Sequence, residues 1–208
     1  MSTEHRWWRN VLWVLRAPAT VFRDLRETEP ADVDARQEPV LLVVLLAGMA
    51  GVLTTPVAGR LLDASDYDGL LVAVWTFVGG GIYGFVVYML GGLVLWVAVR
   101  GLGAYDAVWR SARHLLAFAC VPVALSLLLV LPVRLAAFGG DVFRRGGSDD
   151  GAAGALVWGA QGLFAAWSLV LLLIGLRVVY DFSWGRAAGT FALVVLFLAA
   201  FGALPTAL

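Results

Sequence analysis

Residues 69–99 read GLLVAVWTFVGGGIYGFVVYMLGGLVLWVAV, a stretch without Lys, Arg, Asp, Glu or His. A helix rises about 1.5 Å per residue, so this stretch would be about 46 Å long as a helix. The hydrocarbon core of a bilayer is only about 30 Å thick. The stretch therefore predicts a membrane-spanning helix that tilts or continues into the headgroup region.

Four more charge-free runs have a similar character, at 39–59, 115–133, 151–176 and 187–208. Each has roughly the 20 residues that a spanning helix requires. We therefore predict an all-α membrane protein, with five transmembrane helices over residues 39–208 and an amphipathic cytoplasmic region at 1–38. In the first run, Thr54, Thr55 and Pro56 mark either a kink or the point where the helix leaves the lipid.

The composition is typical of a membrane protein. Hydrophobic residues make up 61% of the chain and charged residues 14%, against about 25% charged in soluble proteins. The net charge is zero, so no global basic field attracts nucleic acid. The single cysteine, Cys120, excludes an internal disulfide and a multi-cysteine metal site.

The N-terminal region has an amphipathic pattern. On a helical wheel, Trp7 and Trp8 share one arc with aliphatic residues, whereas Arg6, Arg9 and Arg16 lie opposite. This pattern predicts a helix in the membrane interface, with Trp7 and Trp8 as interface anchors. The alternative is an ordinary amphipathic helix that packs on the bundle.

The distribution of arginine predicts the orientation. Residues 1–38 hold six arginines, and the loops predicted on the same side add Arg100, Arg110, Arg113, Arg177 and Arg186. The other side has four. Because cytoplasmic loops carry the excess of positive charge, we expect a cytoplasmic N-terminus and an outside C-terminus in the cell membrane.

Glycine is the main signal for helix packing. Gly79, Gly81 and Gly84 match the pattern G-x-G-x-x-G, but a dinucleotide site needs a strand-to-helix turn and a solvated crevice. Close backbone approach carries much of helix association in lipid. We therefore predict packing faces at two glycine pairs, Gly80 with Gly84 and Gly159 with Gly162.

A basic patch precedes the third apolar run. The spacing of three and four residues places Arg110 on the same helix face as Arg113 or His114. Such a patch can contact a lipid phosphate or an acidic partner, and the alternative is a topogenic basic cap. Arg177 and Arg186 complete the predicted contact residues.

Acidic residues have local explanations. Asp63, Asp66 and Asp68 form an outward loop that lacks the distant Glu of a calcium site. Asp181 follows Arg177 by four residues, which predicts an ion pair across the last helical turn.

No sequence pattern indicates ion-coupled transport or catalysis. No acid, lysine or histidine lies in the middle of an apolar run, which argues against ion-coupled transport. Ser126 and Ser168 each lie alone in apolar sequence, and no nucleophile elbow, Walker loop or metalloprotease motif occurs. We expect no enzymatic activity and no catalytic, cofactor or metal site.

Three stretches carry a family resemblance: RAPATVFRDL at 16–25, RSARHLLAFACVPVAL at 110–125 and WSLVLLLIGLRVVYDFSWGRA at 167–187. In these the chain resembles the YIP family, the Ypt/Rab-interacting type of membrane protein, in its bacterial form. The resemblance implies five spans with a cytoplasmic N-terminus. Eukaryotic members associate with small GTPases in vesicle traffic, a role that does not transfer to this short polar N-terminal region.

The resemblance also implies a non-catalytic character. The expected function is a membrane-organising or partner-binding scaffold, with the bilayer and either a protein partner or a second copy of the chain as contacts. The alternative is a passive channel or small-solute permease. Its path would run along the glycines of the second span and the third span, which Pro122 and Pro132 interrupt.

Overall fold

Every regular element that the structure describes is helical. The computed structural model describes residues 3–26, 34–63 and 68–207, with side chains for 4–26, 34–63 and 68–200. Within these ranges no strand occurs. The α-helices are α1 (Thr3–Trp13), α2 (Pro18–Asp24), α3 (Gln37–Leu53), α4 (Gly69–Gly101), α5 (Trp109–Ala119), α6 (Val121–Phe138), α7 (Ala152–Val179) and α8 (Trp184–Ala207). Three 3₁₀ helices lie at Ala58–Asp63, Gly139–Phe143 and Ser148–Asp150.

Three helical stretches of the described chain are long and apolar enough to cross a membrane. They are α4, with 33 residues, α7, with 28 residues, and the 35-residue stretch Trp109–Phe143 that contains α5 and α6. Gln37–Leu53 and Trp184–Ala200 are shorter apolar helices. The all-α membrane fold is therefore confirmed, while the number of five spans stays a prediction.

Large apolar side chains on the outside of the bundle agree with a lipid surrounding. Leu70, Leu156, Leu163 and Leu196 are each at least 69% exposed. So many exposed large apolar side chains are unusual on a soluble monomer, whereas they are compatible with contact to lipid acyl chains. These side chains form the outer apolar surface of α4, α7 and α8.

The helix formed by the first apolar run ends before Pro56. α3 ends at Leu53, and the hydroxyl groups of Thr54 and Thr55 donate to the carbonyl oxygens of Gly51 and Val52, both at 2.7 Å. These bonds satisfy carbonyl groups that a helix end leaves open. Of the two alternatives for this segment, the structure shows a helix end and not a kink.

The third apolar run consists of two helices. α5 ends at Ala119, α6 begins at Val121, and Pro122 lies in the first turn of α6. N–H groups in the first turn have no acceptor within the helix. Proline, which lacks this group, is therefore tolerated there without loss of a hydrogen bond. Pro132, by contrast, lies inside α6.

The N-terminal helices pack into the core. Trp7, Val21 and Phe22 are fully buried in one cluster with Leu95 of α4 and Leu171 of α7. The centroids of the Trp7 and Phe118 rings lie 5.8 Å apart. Residues before α3 therefore belong to the same apolar core as the long helices.

A glycine seam joins α3 to α4. A Cβ atom built on Gly80 would lie 2.6 Å from the Cα atom of Met49, and one built on Gly84 would lie 3.0 Å from the Cα atom of Gly48. These distances are below normal van der Waals contact, so only glycine permits this approach. The packing prediction for Gly80 and Gly84 agrees with this geometry, and Gly48 is their unpredicted partner.

Gly159 and Gly162 make no close contact within the described chain, so a packing role for them stays a prediction. No described atom outside its own helix lies within 4 Å of a Cβ atom built on either residue. The reason is that α7 contacts its neighbours through a different face, where Leu171, Gly175 and Leu176 are buried.

Substitution of the seam tests this difference between the glycines. We expect Gly80→Ala to lower the free energy of unfolding by about 1–3 kcal/mol or more, because the new methyl group meets backbone atoms. Gly159→Ala is the matched control and should be neutral or up to about 1 kcal/mol more stable. Thermal unfolding in detergent measures both, and equal effects would contradict the seam.

Candidate functional site

The loops between the helices gather at two opposite ends of the bundle. At one end, Arg26 of the segment after α2 donates through Nε to the carbonyl oxygen of Val179 (3.2 Å), and a cavity is shared by residues 103–108 and 179–181. We call this the arginine-rich end, because Arg26, Arg110, Arg177 and Arg186 lie there. At the opposite end, the backbone N–H group of Arg145 donates to Asp63 (3.1 Å). Loops after α4 and α7 therefore meet at one end, and loops after α3 and α6 at the other.

A basic pocket lies where α3, α4 and α5 meet, near the arginine-rich end. It is a cavity of about 200 Å³, lined by Gln37, Val40, Leu41, Tyr88, Met89, Arg110, Arg113 and His114. Three of the predicted contact residues thus line one cavity.

Arg113 is held in the pocket by aromatic rings. Its guanidinium carbon lies 4.3 Å from the ring centroid of Trp109 and 5.2 Å from that of Tyr88. Its Nη1 donates to the sulfur of Met89 at 3.1 Å. Its Nε is buried without a hydrogen-bond partner among the described residues. Cation–π contacts and a weak sulfur acceptor leave donor capacity of this guanidinium unused.

His114 is the most buried polar group of the pocket. It is 3% exposed, and its Nδ1 has no hydrogen-bond partner in the described part of the chain. Arg36, Arg110 and Arg113 lie within electrostatic range of the imidazole. Three cations therefore lie near this buried imidazole.

Arg36 is a pocket neighbour that the sequence did not indicate. It is 2% exposed, and its guanidinium carbon lies 5.5 Å from the ring centroid of Trp7. In the sequence it belongs to a polar linker, far from residues 110–114. Only the packing of the helices brings it within electrostatic range of His114.

The structure separates Arg177 and Arg186 from the basic pocket. Arg177 lies on α7 with its guanidinium carbon 4.2 Å from the Trp184 centroid. Arg186 is exposed at the start of α8, beside Gly103. Both are at the arginine-rich end, but neither lines the cavity of Arg110, Arg113 and His114.

Asp181 forms an ion pair with Arg26 in place of the expected ion pair with Arg177. Asp181 lies 3.8 Å from Arg26 and has a φ angle of 53°. This left-handed conformation follows the end of α7, so Asp181 no longer continues the helical spacing from Arg177. With a side chain 95% exposed, the pair contributes little to stability.

The two predicted anchors have different surroundings. Trp7 is 0% exposed and packs on Phe118, whereas Trp8 is 40% exposed. This corresponds to the packed-helix alternative for Trp7, because a ring inside the bundle cannot reach the headgroups. An anchoring role stays a prediction for Trp8 alone.

The two polar side chains of α6 are paired inside the bundle. Ser126, expected to be alone, accepts a hydrogen bond from Gln161 at 2.8 Å and donates to the Val123 carbonyl oxygen at 2.7 Å. Arg134 pairs with Asp149 at 2.6 Å, and both side chains are largely buried. These pairs connect α6 to α7 and the segment before it.

Two aspartates of the predicted outward loop are described by the structure, and both make structural hydrogen bonds. Asp68 caps α4 by accepting from the N–H group of Leu71 at 2.9 Å, and Asp63 binds Arg145. Asp66 lies outside the described residues. The described part of the loop therefore has structural roles.

Comparison with known proteins gives one match. A family model described as the Yip1 domain matches residues 13–204. No curated protein and no solved structure matches this sequence.

The position of Arg113 depends on Gly92 of α4. A Cβ atom on Gly92 would collide with the Arg113 side chain, and its distance to the Arg113 Cα atom would be 3.2 Å. We therefore expect Gly92→Ala to destabilise the protein by about 1–3 kcal/mol. Gly79→Ala on the same helix is the control, because its methyl group meets only Trp75 at 3.9 Å. Thermal unfolding compares them; no difference would contradict the contact.

Proposed function

This chain belongs to the Yip1 domain family, and on that premise we propose that it is a non-enzymatic, multi-pass scaffold of the cell membrane. It would organise the membrane or bind a protein partner through its arginine-rich end. The N-terminus would be cytoplasmic and the C-terminus outside.

The observation that carries this proposal is the gathering of cations at one end. Arg110, Arg177 and Arg186 come from three different helices, and each is exposed. Exposed arginines above a membrane attract acidic protein surfaces and anionic headgroups. The arrangement therefore favours contact with an acidic surface.

Two further points support a role without catalysis. The Yip1 family is not known as enzymatic. Ser126 and Arg134, the polar groups of α6, are already engaged by Gln161 and Asp149. These hydrogen bonds join helices and do not resemble a nucleophile with its base.

The packing of α4 argues against the passive channel or permease. The path would follow the glycine face of this helix, but Gly80 and Gly84 lie against the backbone of α3. Helices in this close contact leave no room for a solute to pass between their two backbones at these glycines. We therefore retain the scaffold as the proposed function.

The proposed orientation is tested by labelling. In a Cys120→Ser background, Ser148→Cys at one end and Ser183→Cys at the other are both at exposed positions. We expect a membrane-impermeant thiol reagent to label Ser148→Cys from outside, and Ser183→Cys only after the membrane is opened. The reverse pattern would place the arginine-rich end outside.

Partner binding is tested by cross-linking in intact cells, followed by affinity purification. We expect partners captured by the native chain to be lost, by at least tenfold, from Arg110→Ala plus Arg177→Ala, because two exposed cations are removed. Arg144→Ala plus Arg145→Ala removes the same charge at the opposite end and should retain them. Equal capture by both double variants would contradict the proposal.

A further inference from the structure

We infer that the exposed side of α1 and α2 is a membrane-contacting surface. Trp8, Leu12 and Trp13 lie at the boundary between headgroups and acyl chains, and Arg16 and Arg23 contact anionic headgroups. The occupant of this surface is the leaflet of the protein's own bilayer around the arginine-rich end. This inference goes beyond the proposed function and does not depend on a protein partner.

The first observation is that α1 carries large apolar side chains on two sides. Trp7 and, directly after α1, Val14 are 0% exposed in the bundle core. On the other side, Trp8, Leu12 and Trp13 are 40%, 60% and 46% exposed. The core covers only the first side. A helix with large apolar side chains all round is typical of apolar surroundings, so the second side requires a cover other than water.

The exposed apolar side chains of α1 form one surface with the composition of a membrane interface. Trp8 and Leu12 are one helical turn apart and share a face, and Trp13 follows Leu12 on the helical wheel. The remaining exposed residues of α1 are Glu4, His5 and Arg9. Tryptophan is enriched where acyl chains meet headgroups, because its ring is apolar and its N–H group is polar.

The depth of this surface follows from the packing of α2 along the last turns of α7. A Cβ atom built on Gly175 would lie 3.2 Å from the Phe22 ring. Nε of Arg26 donates to the carbonyl oxygen of Val179 at 3.2 Å. Phe22 and Arg26 are four residues apart, as are Gly175 and Val179. The two segments therefore run side by side toward the arginine-rich end.

α1 is held at the same level by α2. Nδ2 of Asn10 donates to Oδ2 of Asp24, the last residue of α2, at 3.4 Å. With 28 residues, α7 is about 42 Å long, against about 30 Å of hydrocarbon. Arg177, exposed in its last turn, belongs outside the hydrocarbon. The last turns of α7 and the adjoining N-terminal helices therefore lie at headgroup level.

The charges on this surface complement anionic headgroups. Arg16 and Arg23 are exposed, and neither guanidinium forms an ion pair or hydrogen bond with a described residue. Residues 4–26 contain two acids, Glu4 and Asp24, and Asp24 is engaged by Asn10. Hydrocarbon alone would leave the arginines without solvation, and water alone would leave the indole rings exposed. The boundary satisfies both, and its anionic headgroups attract the arginines.

The experiment measures the depth of α1 for the full chain in vesicles of phosphatidylcholine and phosphatidylglycerol. In a Cys120→Ser background, a fluorophore is attached to Leu12→Cys. Three quenchers are compared: iodide on both sides of the membrane, a lipid with a nitroxide near its headgroup, and a lipid with a nitroxide near its acyl end. We expect the nitroxide near the headgroup to quench about twofold or more over the other two, because an interfacial helix lies only about 5–10 Å into the boundary.

Two control positions calibrate the depth. Leu163→Cys, near the middle of α7 and 74% exposed, should be quenched most by the nitroxide near the acyl end. Ser183→Cys, exposed in the loop after α7, should be quenched most by iodide. If Leu12→Cys behaves like either control, its surface lies in hydrocarbon or in water. Protection from all three quenchers would show that a protein segment or a second copy covers it. Each of these results would overturn the inference.

The charge of the surface is tested with the nitroxide near the headgroup, carried by either lipid. We expect phosphatidylglycerol to quench Leu12→Cys about twofold or more over phosphatidylcholine, because arginines concentrate anionic lipid. Arg16→Gln plus Arg23→Gln should remove this preference. Arg144→Gln plus Arg145→Gln, with the same charge change at the opposite end, should keep it.

Equal quenching by the two lipids, or equal loss in the two double variants, would overturn the assignment to anionic headgroups. Because these measurements use purified protein and lipid, their outcome is independent of the cross-linking test of partner binding.

Discussion

The close approach of α3 and α4 at Gly48, Gly80 and Gly84 is the contact on which the candidate site depends. In lipid, burial of apolar side chains between helices has little driving force, so contact of two backbones has a large part in fixing their relative position. Once the helices are joined there, Val40 of α3 and Tyr88 of α4 line the same cavity. The basic pocket is built on this register.

The features that follow from composition along the chain could be predicted from the sequence. The absence of charge over 69–99 predicts the longest helix, and the pairing of small residues predicts the seam at Gly80 and Gly84, because both signals lie within one segment. Gly159 and Gly162 have the same local signal. Only the three-dimensional arrangement shows that their face of α7 lies toward the surroundings.

The parts that could not be predicted arise from contacts between distant segments. Arg36 comes within electrostatic range of His114 because α1 and α3 pack near α5, and Trp7 is buried for the same reason. Ser126 gains Gln161 because α6 and α7 are adjacent. No spacing rule connects such residues, whereas the expected pair of Arg177 and Asp181 failed through a local event, the left-handed turn after α7.

The contact of Gly92 with Arg113 has a consequence for the entropy of binding. The aliphatic part of the Arg113 side chain lies on α4 at Gly92, which has no side chain. Its guanidinium group lies near the rings of Trp109 and Tyr88. A long side chain held in this way has lost much of its rotamer freedom when the protein folds, up to about 2 kcal/mol for arginine. An anion that reaches it encounters a preorganised donor, so less conformational entropy is lost on association.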